Sequence, residues 1–273
     1  MTSSLTNVLE RHPDTGQDFG QIDVGSLRAA LEQVPDPRAR RGVRYPFADL
    51  LLVLVCAVFS GAKTLTMIAE WARHAAGSGQ LFPAGKVPSL ATIHRIAAGI
   101  DPKALDTAVN AWTRARARAL ARGRRPAIAV DGKEARGAKN GGGTRVFLMA
   151  ALDHTTGTVI GQESIGEKTN EIPQFGALMD RLGDLSGVVV TADALHTQAG
   201  HAEDLHARGA HYVFTVKTNQ PKLRKRISSQ TWSTRKPGHV RREKAHGRTT
   251  VWSATAQKAQ AWIDFPHAAR PSA

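Results

Sequence analysis

Two aspartates stand directly after apolar runs that are typical of buried strands. Asp131 follows residues 127–130 (AIAV), and Asp193 follows residues 187–192 (GVVVTA). A carboxylate at the end of a buried strand is costly to desolvate unless it is paired or binds a metal ion. Two such groups from neighbouring strands could hold a pair of magnesium ions about 4 Å apart, an arrangement used in phosphoryl transfer. Each aspartate could also simply begin a turn, so the pattern by itself leaves both interpretations open.

The segments around these aspartates indicate an α/β domain over residues 121–273. Their order is strand, hairpin, helix, strand, helix, strand, with the hairpin at residues 145–163. We predict a mixed sheet with helices on its faces, in which strand 187–192 lies beside strand 127–130. This adjacency would bring both aspartates to the same end of one sheet. After Lys217 the chain becomes strongly basic and shows no period, so no element is predicted there.

The preceding residues predict an all-helical domain over 25–120, with a loose polar arm over 1–24. Apolar residues recur at helical spacing, for example at Leu65, Ile68, Ala69 and Ala72. Three residues are suited to cap the helices that follow them, namely Ser26, Ser89 and Asp101. The loop at 77–88 is much longer than the turn of a helix-turn-helix motif, so that motif is not predicted.

The composition favours a polyanionic partner and an intracellular location. Lysine and arginine number 37 against 23 acidic residues, which gives a net charge of +14 and suits nucleic acid. The single cysteine, Cys56, excludes an internal disulfide and is expected to be a buried, inert thiol. The most apolar stretch, residues 50–62, is shorter than the roughly 20 residues that a bilayer requires. With no secretory signal at the start, we expect a cytoplasmic protein with no membrane partner.

Two other groups of polar residues have weaker interpretations. His196, His201 and His206 recur every five residues, which on a helix rotates each well away from the last. They therefore do not form an i, i+4 zinc pair, and we interpret them as surface histidines. The segment EKTNEI, residues 167–172, is interpreted as a helix cap, with Asn170 or Thr169 as the capping residue.

Motifs along nearly the whole chain, from about residue 26, carry a resemblance to a known family. In order they are AIAVDGKEARG, LMAALDHTTGTVIGQ, EKTNEIPQF, VVTADALHTQ, HYVFTVKTNQPKL, HGRTT and IDFPHAAR. Together they resemble the H-repeat-associated insertion-sequence transposases, which belong to the DDE superfamily. The helical start, notably PDPRARRGVRYPFADLLLVLVCAVFSG and VPSLATIHRI, resembles the N-terminal domain associated with that family. The resemblance implies an RNase H-like mixed sheet with flanking helices, incomplete here, after an all-helical N-terminal domain.

The resemblance also implies a reaction and a set of site residues. Asp131 matches the first catalytic aspartate of the family and Asp193 the second, so both would ligate a divalent metal. The implied cofactor is a pair of Mg²⁺ or Mn²⁺ ions, and the implied partner is double-stranded DNA, both element ends and target. Such enzymes can assemble as homo-oligomers. Basic residues after the last core strand could hold the DNA backbone, although each singly is also an ordinary surface charge: Lys217, Lys222, Arg224, Lys225 and Arg226.

The chain departs from the family pattern at the third catalytic carboxylate. That glutamate is expected in a segment resembling HWxIEN, well beyond FPHAAR, and no such segment occurs in this chain. The HGRTT motif has Thr249 and Thr250 where the family has a glutamate, and nearby Glu243 does not match the catalytic position. We therefore expect a C-terminally truncated transposase that is catalytically inactive. The alternative is a non-catalytic DNA-binding remnant that interferes with an intact transposase.

Overall fold

The computed structural model describes residues 23–268, except 42, 77–86, 121–122, 124, 140–142, 144, 166–170, 233–235 and 246–247. The predicted arm over residues 1–24 therefore lies, up to residue 22, outside the described residues. The chain divides into two compact units at residues 122 and 123, and residues 155–161 belong to the first unit. Each unit is described by itself below.

The first unit is helical, as predicted. Its described helices are α1 (Val24–Leu31), α2 (Phe47–Phe59), α3 (Leu65–Ala76), α4 (Leu90–Gly99) and α5 (Pro102–Leu120). Every residue of α2 from Phe47 to Ala57 is buried, so the apolar stretch is a core helix. The face of α3 expected to be apolar is buried at Ile68, Ala69 and Ala72. Among the described residues, no helix combines the length and the apolarity that crossing a bilayer demands.

Two of the three predicted helix caps are confirmed. The Ser89 hydroxyl accepts a hydrogen bond from the N–H of Thr92 at 3.3 Å, and the Asp101 carboxylate accepts one from the N–H two residues later. The prediction for Ser26 was wrong, because α1 begins at Val24 and Asp23 caps it. The Asp23 carboxylate accepts from the N–H of Ser26 at 3.1 Å, so Ser26 lies inside the first turn.

A five-stranded mixed sheet has the order β3-β2-β1-β4-β5, and apart from residues 159–161 at the start of β3 its strands belong to the second unit. The strands are β1 (Ala127–Lys139), β2 (Arg145–Asp153), β3 (Val159–Ile165), β4 (Val189–Ala192) and β5 (His211–Phe214). The central strand β1 pairs antiparallel with β2 and parallel with β4, and β4 pairs parallel with β5. The expected RNase H-like mixed sheet is therefore confirmed, as is the hairpin of β2 and β3.

Helices pack on this sheet through apolar residues. Two helices contact it, α6 (Gln174–Leu182) at β2 and α7 (Ala199–Ala207) at β5, and α8 (Pro221–Ser228) follows later in the chain. Ile128 and Val130 of β1 stand beside Val190 and Ala192 of β4, and all four are buried. Because paired residues of neighbouring strands point to the same face, they form one apolar surface. Fully buried side chains of α6 and β2 complete the core: Phe175, Leu178, Met179 and Met149.

The basic segment after Lys217 is more regular than predicted. Residues 221–228 form α8, and β6 (His239–Ala245) pairs antiparallel with β7 (Arg248–Ala254) in a separate two-stranded sheet. The helical period of α8 was hidden because only Leu223 in it is buried. All seven residues of β7 are exposed, so this strand shows none of the polar–apolar alternation that marks a half-buried strand.

Candidate functional site

The two predicted aspartates lie at one end of the sheet, where β4 separates from β1. The parallel pairing of these strands ends at Val130 and Ala192, and Asp131 and Asp193 are the next residues of their chains. The predicted adjacency of the two strands is therefore confirmed. Because paired strands lie about 4.8 Å apart, the aspartates leave the sheet from neighbouring positions. We call this place the fork.

Asp131 does not end its strand, contrary to the sequence prediction. β1 continues to Lys139 and stays paired with β2, with Asp131 opposite Ala150 and Gly132 opposite Met149. Beyond the end of its pairing with β4, β1 is still hydrogen-bonded to the long strand β2. One edge of β1 is therefore held in the sheet at Asp131, while the edge that paired with β4 opens.

The Asp131 side chain is accessible at the fork. It is 58% exposed, and the Nζ of Lys133 lies 3.2 Å from its Oδ2. Lys133 is itself 81% exposed, and an ion pair in such a solvated place contributes little stability. The carboxylate can therefore exchange this partner for a cation at little cost.

Asp193 is fixed more tightly. It caps the 3₁₀ turn Ala194–His196, and its Oδ1 accepts a hydrogen bond from the N–H of Leu195 at 2.9 Å. This bond sets the direction of the carboxylate, since one oxygen is directed at the turn. The end of β4 thus presents a carboxylate whose orientation is determined by its own backbone.

Glu171, which sequence reasoning missed, supplies a third carboxylate near the fork. A Cβ built on Gly132 would lie 2.3 Å from both Cδ and Oε1 of Glu171, so the Glu171 carboxylate lies against the backbone of β1 beside Asp131. Burial raises the pKa of Glu171, and the negative charges of Asp193 and Asp131 raise it further. Two features of the sequence could have indicated Glu171. One is the glycine directly after Asp131, and the other is the acidic residue just before α6, a segment interpreted only as a helix cap. The predicted caps Asn170 and Thr169 lie outside the described residues.

His196 is buried next to Glu171. Its side chain is 1% exposed, and its Nε2 lies 3.5 Å from Oε2 of Glu171. Among the described residues, neither ring nitrogen has a hydrogen-bond partner. Burial, helped by the neighbouring His201, lowers the pKa of His196, although Asp193 and Asp131 act in the opposite direction. The imidazole faces the Glu171 carboxylate as a potential N–H donor.

The prediction of three surface histidines was wrong for His196 and His201. His196 lies in a 3₁₀ turn and α7 starts only at Ala199, so a single helical period does not join the three residues. His201 is 8% exposed and stacks on Phe175 with ring centroids 4.1 Å apart. His206 is exposed as predicted.

The donor set at the fork fits a divalent cation. Asp131, Asp193 and Glu171 carry hard carboxylate oxygens, which Mg²⁺ and Mn²⁺ prefer. The glycine at position 132 leaves room for one of these carboxylates, and the His196 imidazole beside it can orient that carboxylate. Within the described part of the chain, no three acidic, histidine or cysteine side chains already converge at ligand spacing. Closing such a site requires side-chain rotation, which the exposed Asp131 allows.

Four of the five basic residues proposed to contact DNA lie on α8. Lys222, Arg224 and Lys225 are exposed, as is Lys217 in the segment after β5. Arg226 is partly covered, and its Nη1 lies 3.3 Å from Oδ2 of Asp264.

Glu243, an acidic residue within the basic segment, lies in β6 opposite Thr250. Its Oε2 is 3.7 Å from Nη2 of Arg241. It thus belongs to the two-stranded sheet and not to the five-stranded sheet that carries Asp131.

Comparison with known proteins assigns both parts of the chain. Residues 122–262 match the family described as transposase DDE domain, and residues 28–113 match the one described as DDE_Tnp_1-associated. The chain belongs to the DDE transposase family. The resemblance to H-repeat-associated transposases inferred from the sequence motifs is thereby confirmed.

Relatives of this member of the DDE transposase family include two bacterial proteins. One, from Xanthobacter autotrophicus and named for its position in the dhlA 3′ region, is 33% identical over 80% of this chain and 76% of its own length. The other is YhhI of Escherichia coli strain K12, named as an H repeat-associated transposase candidate. It is 29% identical over 84% of this chain, which spans 62% of that relative. A piggyBac transposase synaptic complex with hairpin DNA is 14% identical, with a TM-score of 0.35, over 84% of this chain and 54% of that one.

Proposed function

We propose that this DDE transposase uses Asp131 and Asp193 to hold divalent cations, Mg²⁺ or Mn²⁺, for cleavage and transfer of DNA strands. The observation that carries the proposal is the parallel pairing of β1 with β4, which ends one residue before each aspartate. Family membership supplies the class of reaction. The carboxylates supply the donor type that these cations require.

The residues at the fork contribute to this chemistry in different ways. Asp193 is oriented by the Leu195 N–H, whereas the exposed Asp131 can turn towards a cation. Lys133 lies beside Asp131, and its positive charge offsets the repulsion between that carboxylate and an approaching phosphate. When bound, divalent cations activate the attacking oxygen and stabilise the departing one. The chain itself forms no covalent bond to DNA in this scheme.

Exposed basic residues support a double-stranded DNA partner. The net charge of the chain is +14, and α8 presents Lys222, Arg224 and Lys225 to solvent. The β6–β7 hairpin adds four exposed cationic residues, Arg241, Arg242, Lys244 and Arg248. Lysine and arginine contacts to phosphates release counterions and give affinity that does not depend on base sequence.

A nicking assay tests the proposed cleavage. The full chain is incubated with a labelled supercoiled plasmid and Mn²⁺, beside the near-isosteric variants Asp131→Asn and Asp193→Asn. An inactive copy, as expected from the missing third catalytic carboxylate, does not nick the plasmid. Any metal-dependent nicking by the natural chain should fall at least a hundredfold in either variant, since each removes a charged ligand (order of magnitude from metal-site variants). The variants must retain the far-ultraviolet circular dichroism of the natural chain. Nicking that survives both substitutions would overturn the proposal.

The alternative function, DNA binding without cleavage, rests on the basic surface alone. Tight duplex binding by a chain that does not nick would favour it over the transposase reaction. Binding is measured on a labelled duplex at increasing salt, with Lys222→Gln/Lys225→Gln compared against Lys63→Gln/Lys258→Gln. Both pairs remove two exposed lysines, so they change the net charge equally. If α8 binds phosphates, only the first pair should reduce the slope of log affinity against log salt, by roughly 0.9 for each phosphate that is no longer neutralised.

A further inference from the structure

We infer that Glu171 is a third carboxylate ligand of the divalent cation at the fork and that His196 is the residue that positions it. The inference deepens the proposed function and rests on it, because Asp131 and Asp193 are the other ligands. Glu171 lies just before α6, far in sequence from both aspartates. Its placement follows from the fold and not from a strand-end pattern.

The first observation is the contact between Glu171 and β1. The space that a side chain at position 132 would fill is taken by the Glu171 carboxylate, with Oε1 and Oε2 at 2.3 and 2.6 Å from the ideal Cβ position. Glycine is the only residue that permits so close an approach. Gly132 therefore allows the Glu171 carboxylate to lie near Asp131.

The second observation is the buried imidazole of His196. A polar side chain that is 99% buried normally has hydrogen-bond partners, yet within the described residues neither ring nitrogen of His196 has one. Its Nε2 points to Glu171, with 3.5 Å between Nε2 and Oε2. Phe175 and His201 pack around the ring, with centroids 5.3 and 5.5 Å away. A donor held so rigidly can fix the direction of the carboxylate that it faces, as second partners of metal ligands do.

The third observation is the concentration of negative charge. Asp131 and Asp193 leave the sheet from neighbouring positions of β1 and β4, and the Glu171 carboxylate lies against Gly132, the residue after Asp131. A divalent cation would relieve the repulsion among the three groups, and Mg²⁺ or Mn²⁺ accepts such carboxylates directly or through its own water.

Binding of Mn²⁺ alone to the full chain tests the role of Glu171. Affinity is measured by calorimetry and by the loss of the free-ion paramagnetic resonance signal, for the natural chain, Glu171→Gln, Asp131→Asn and Asp193→Asn. Glu203→Gln is the control, because Glu203 is an exposed carboxylate on α7 of the same unit. We expect Glu171→Gln to weaken Mn²⁺ binding at least about tenfold, as the aspartate variants do, and Glu203→Gln to leave it unchanged.

The outcomes separate this inference from the proposed function. If the aspartate variants lose Mn²⁺ affinity while Glu171→Gln binds like the natural chain, the inference is overturned and the proposed function stands. If none of the three variants loses affinity, the cation is not at the fork and both fail.

The role of His196 is tested by two substitutions that differ in hydrogen bonding. His196→Gln keeps an N–H donor near the position of Nε2, whereas His196→Phe fills the space without a donor. If His196 positions Glu171, the phenylalanine variant should lose Mn²⁺ affinity about tenfold, and the glutamine variant should recover most of it. A purely structural role predicts that both variants bind Mn²⁺ equally once circular dichroism shows that they are folded. Equal binding would overturn the assignment of His196.

Discussion

Gly132 is the position in β1 where the backbone lies against a carboxylate of the fork. It follows Asp131, pairs with Met149 across the sheet and leaves space for the Glu171 carboxylate. Its φ is not in the positive range that strains a side chain, and the nearest atoms to an added Cβ all belong to the tip of Glu171. A methyl group there would displace a flexible carboxylate and leave the backbone unchanged.

Gly132→Ala should therefore separate folding from cation binding. We expect the free energy of unfolding to change by less than about 1 kcal/mol, since the strand accepts alanine. Mn²⁺ affinity should fall at least about tenfold, because Glu171 is moved away from the fork. Denaturant unfolding and Mn²⁺ calorimetry on the same preparation measure the two quantities.

Gly176→Ala is the matched control for that substitution. Gly176 lies in α6, and apart from its chain neighbours and the backbone of its own helix no described atom comes within 4 Å of an added Cβ. Alanine there should stabilise the helix by about 0.5–1 kcal/mol and leave Mn²⁺ affinity unchanged. If Gly132→Ala lowered Mn²⁺ affinity by the same factor in a Glu171→Gln background, the effect would not act through Glu171.

The buried hydroxyl of Tyr212 should make the fold less stable at alkaline pH. Its hydroxyl donates to the carbonyl oxygen of Pro266 at 2.6 Å, and burial raises its pKa to about 12. The unfolded chain has a tyrosine pKa near 10, so the fold retains the proton that the unfolded state loses. This contribution to stability is complete below about pH 10 and is lost as the pH rises from about 10 to about 12.

The variant Tyr212→Phe isolates this effect. The free energy of unfolding is measured at about pH 9 and about pH 11 for both chains. The natural chain should lose more stability over that interval than Tyr212→Phe does. An equal loss in the two chains would show that Tyr212 is not the group responsible.

At the scale of secondary-structure elements, the sequence predicted the helices and strands whose buried apolar residues recur at a regular spacing. The apolar run of α2 and the caps at Ser89 and Asp101 follow from local rules, and the adjacency of β1 and β4 follows from the strand order. The extension of β1 beyond Asp131 was missed, because residues there show no apolar pattern. Pairing with β2 holds this part of the strand instead. Glu171 could not be placed because its approach to Gly132 depends on how α6 packs on the sheet.

Because α2 is buried, the single thiol of the chain is predicted to react slowly. Cys56 is 1% exposed, and burial raises its pKa to about 11, so almost no thiolate is present near neutral pH. An aromatic disulfide reagent should label it at least about a hundredfold more slowly than an ordinary exposed thiol of pKa about 8.5.

The other side of α2 supplies the comparison thiol. Val58 lies two residues further along the helix and is 53% exposed. The variant Cys56→Ala/Val58→Cys should therefore be labelled rapidly in the native chain. Added denaturant should accelerate labelling of Cys56 in parallel with the loss of helical circular dichroism. Rapid labelling of native Cys56 would mean that α2 opens to solvent without unfolding.

At the scale of the whole molecule, the net charge of +14 opposes the compact state and favours polyanions. These two consequences respond to salt in opposite directions. Salt screens repulsion among the lysines and arginines, so it should raise the melting temperature of the chain alone. It also weakens phosphate contacts, since releasing counterions into more concentrated salt gains less entropy.

The melting temperature with and without duplex DNA should therefore converge as salt increases. A duplex at a hundredfold excess over its dissociation constant stabilises the native state by roughly 2.7 kcal/mol, and each kcal/mol raises the melting temperature of a chain this size by about 2–4 °C. We expect a difference of about 5–10 °C near 50 mM salt, most of which disappears near 200 mM, because affinity falls steeply between those concentrations. Dextran, a neutral polymer, should produce no comparable difference. A DNA-dependent shift that is the same at both salt concentrations would mean that the DNA is not held through its phosphates.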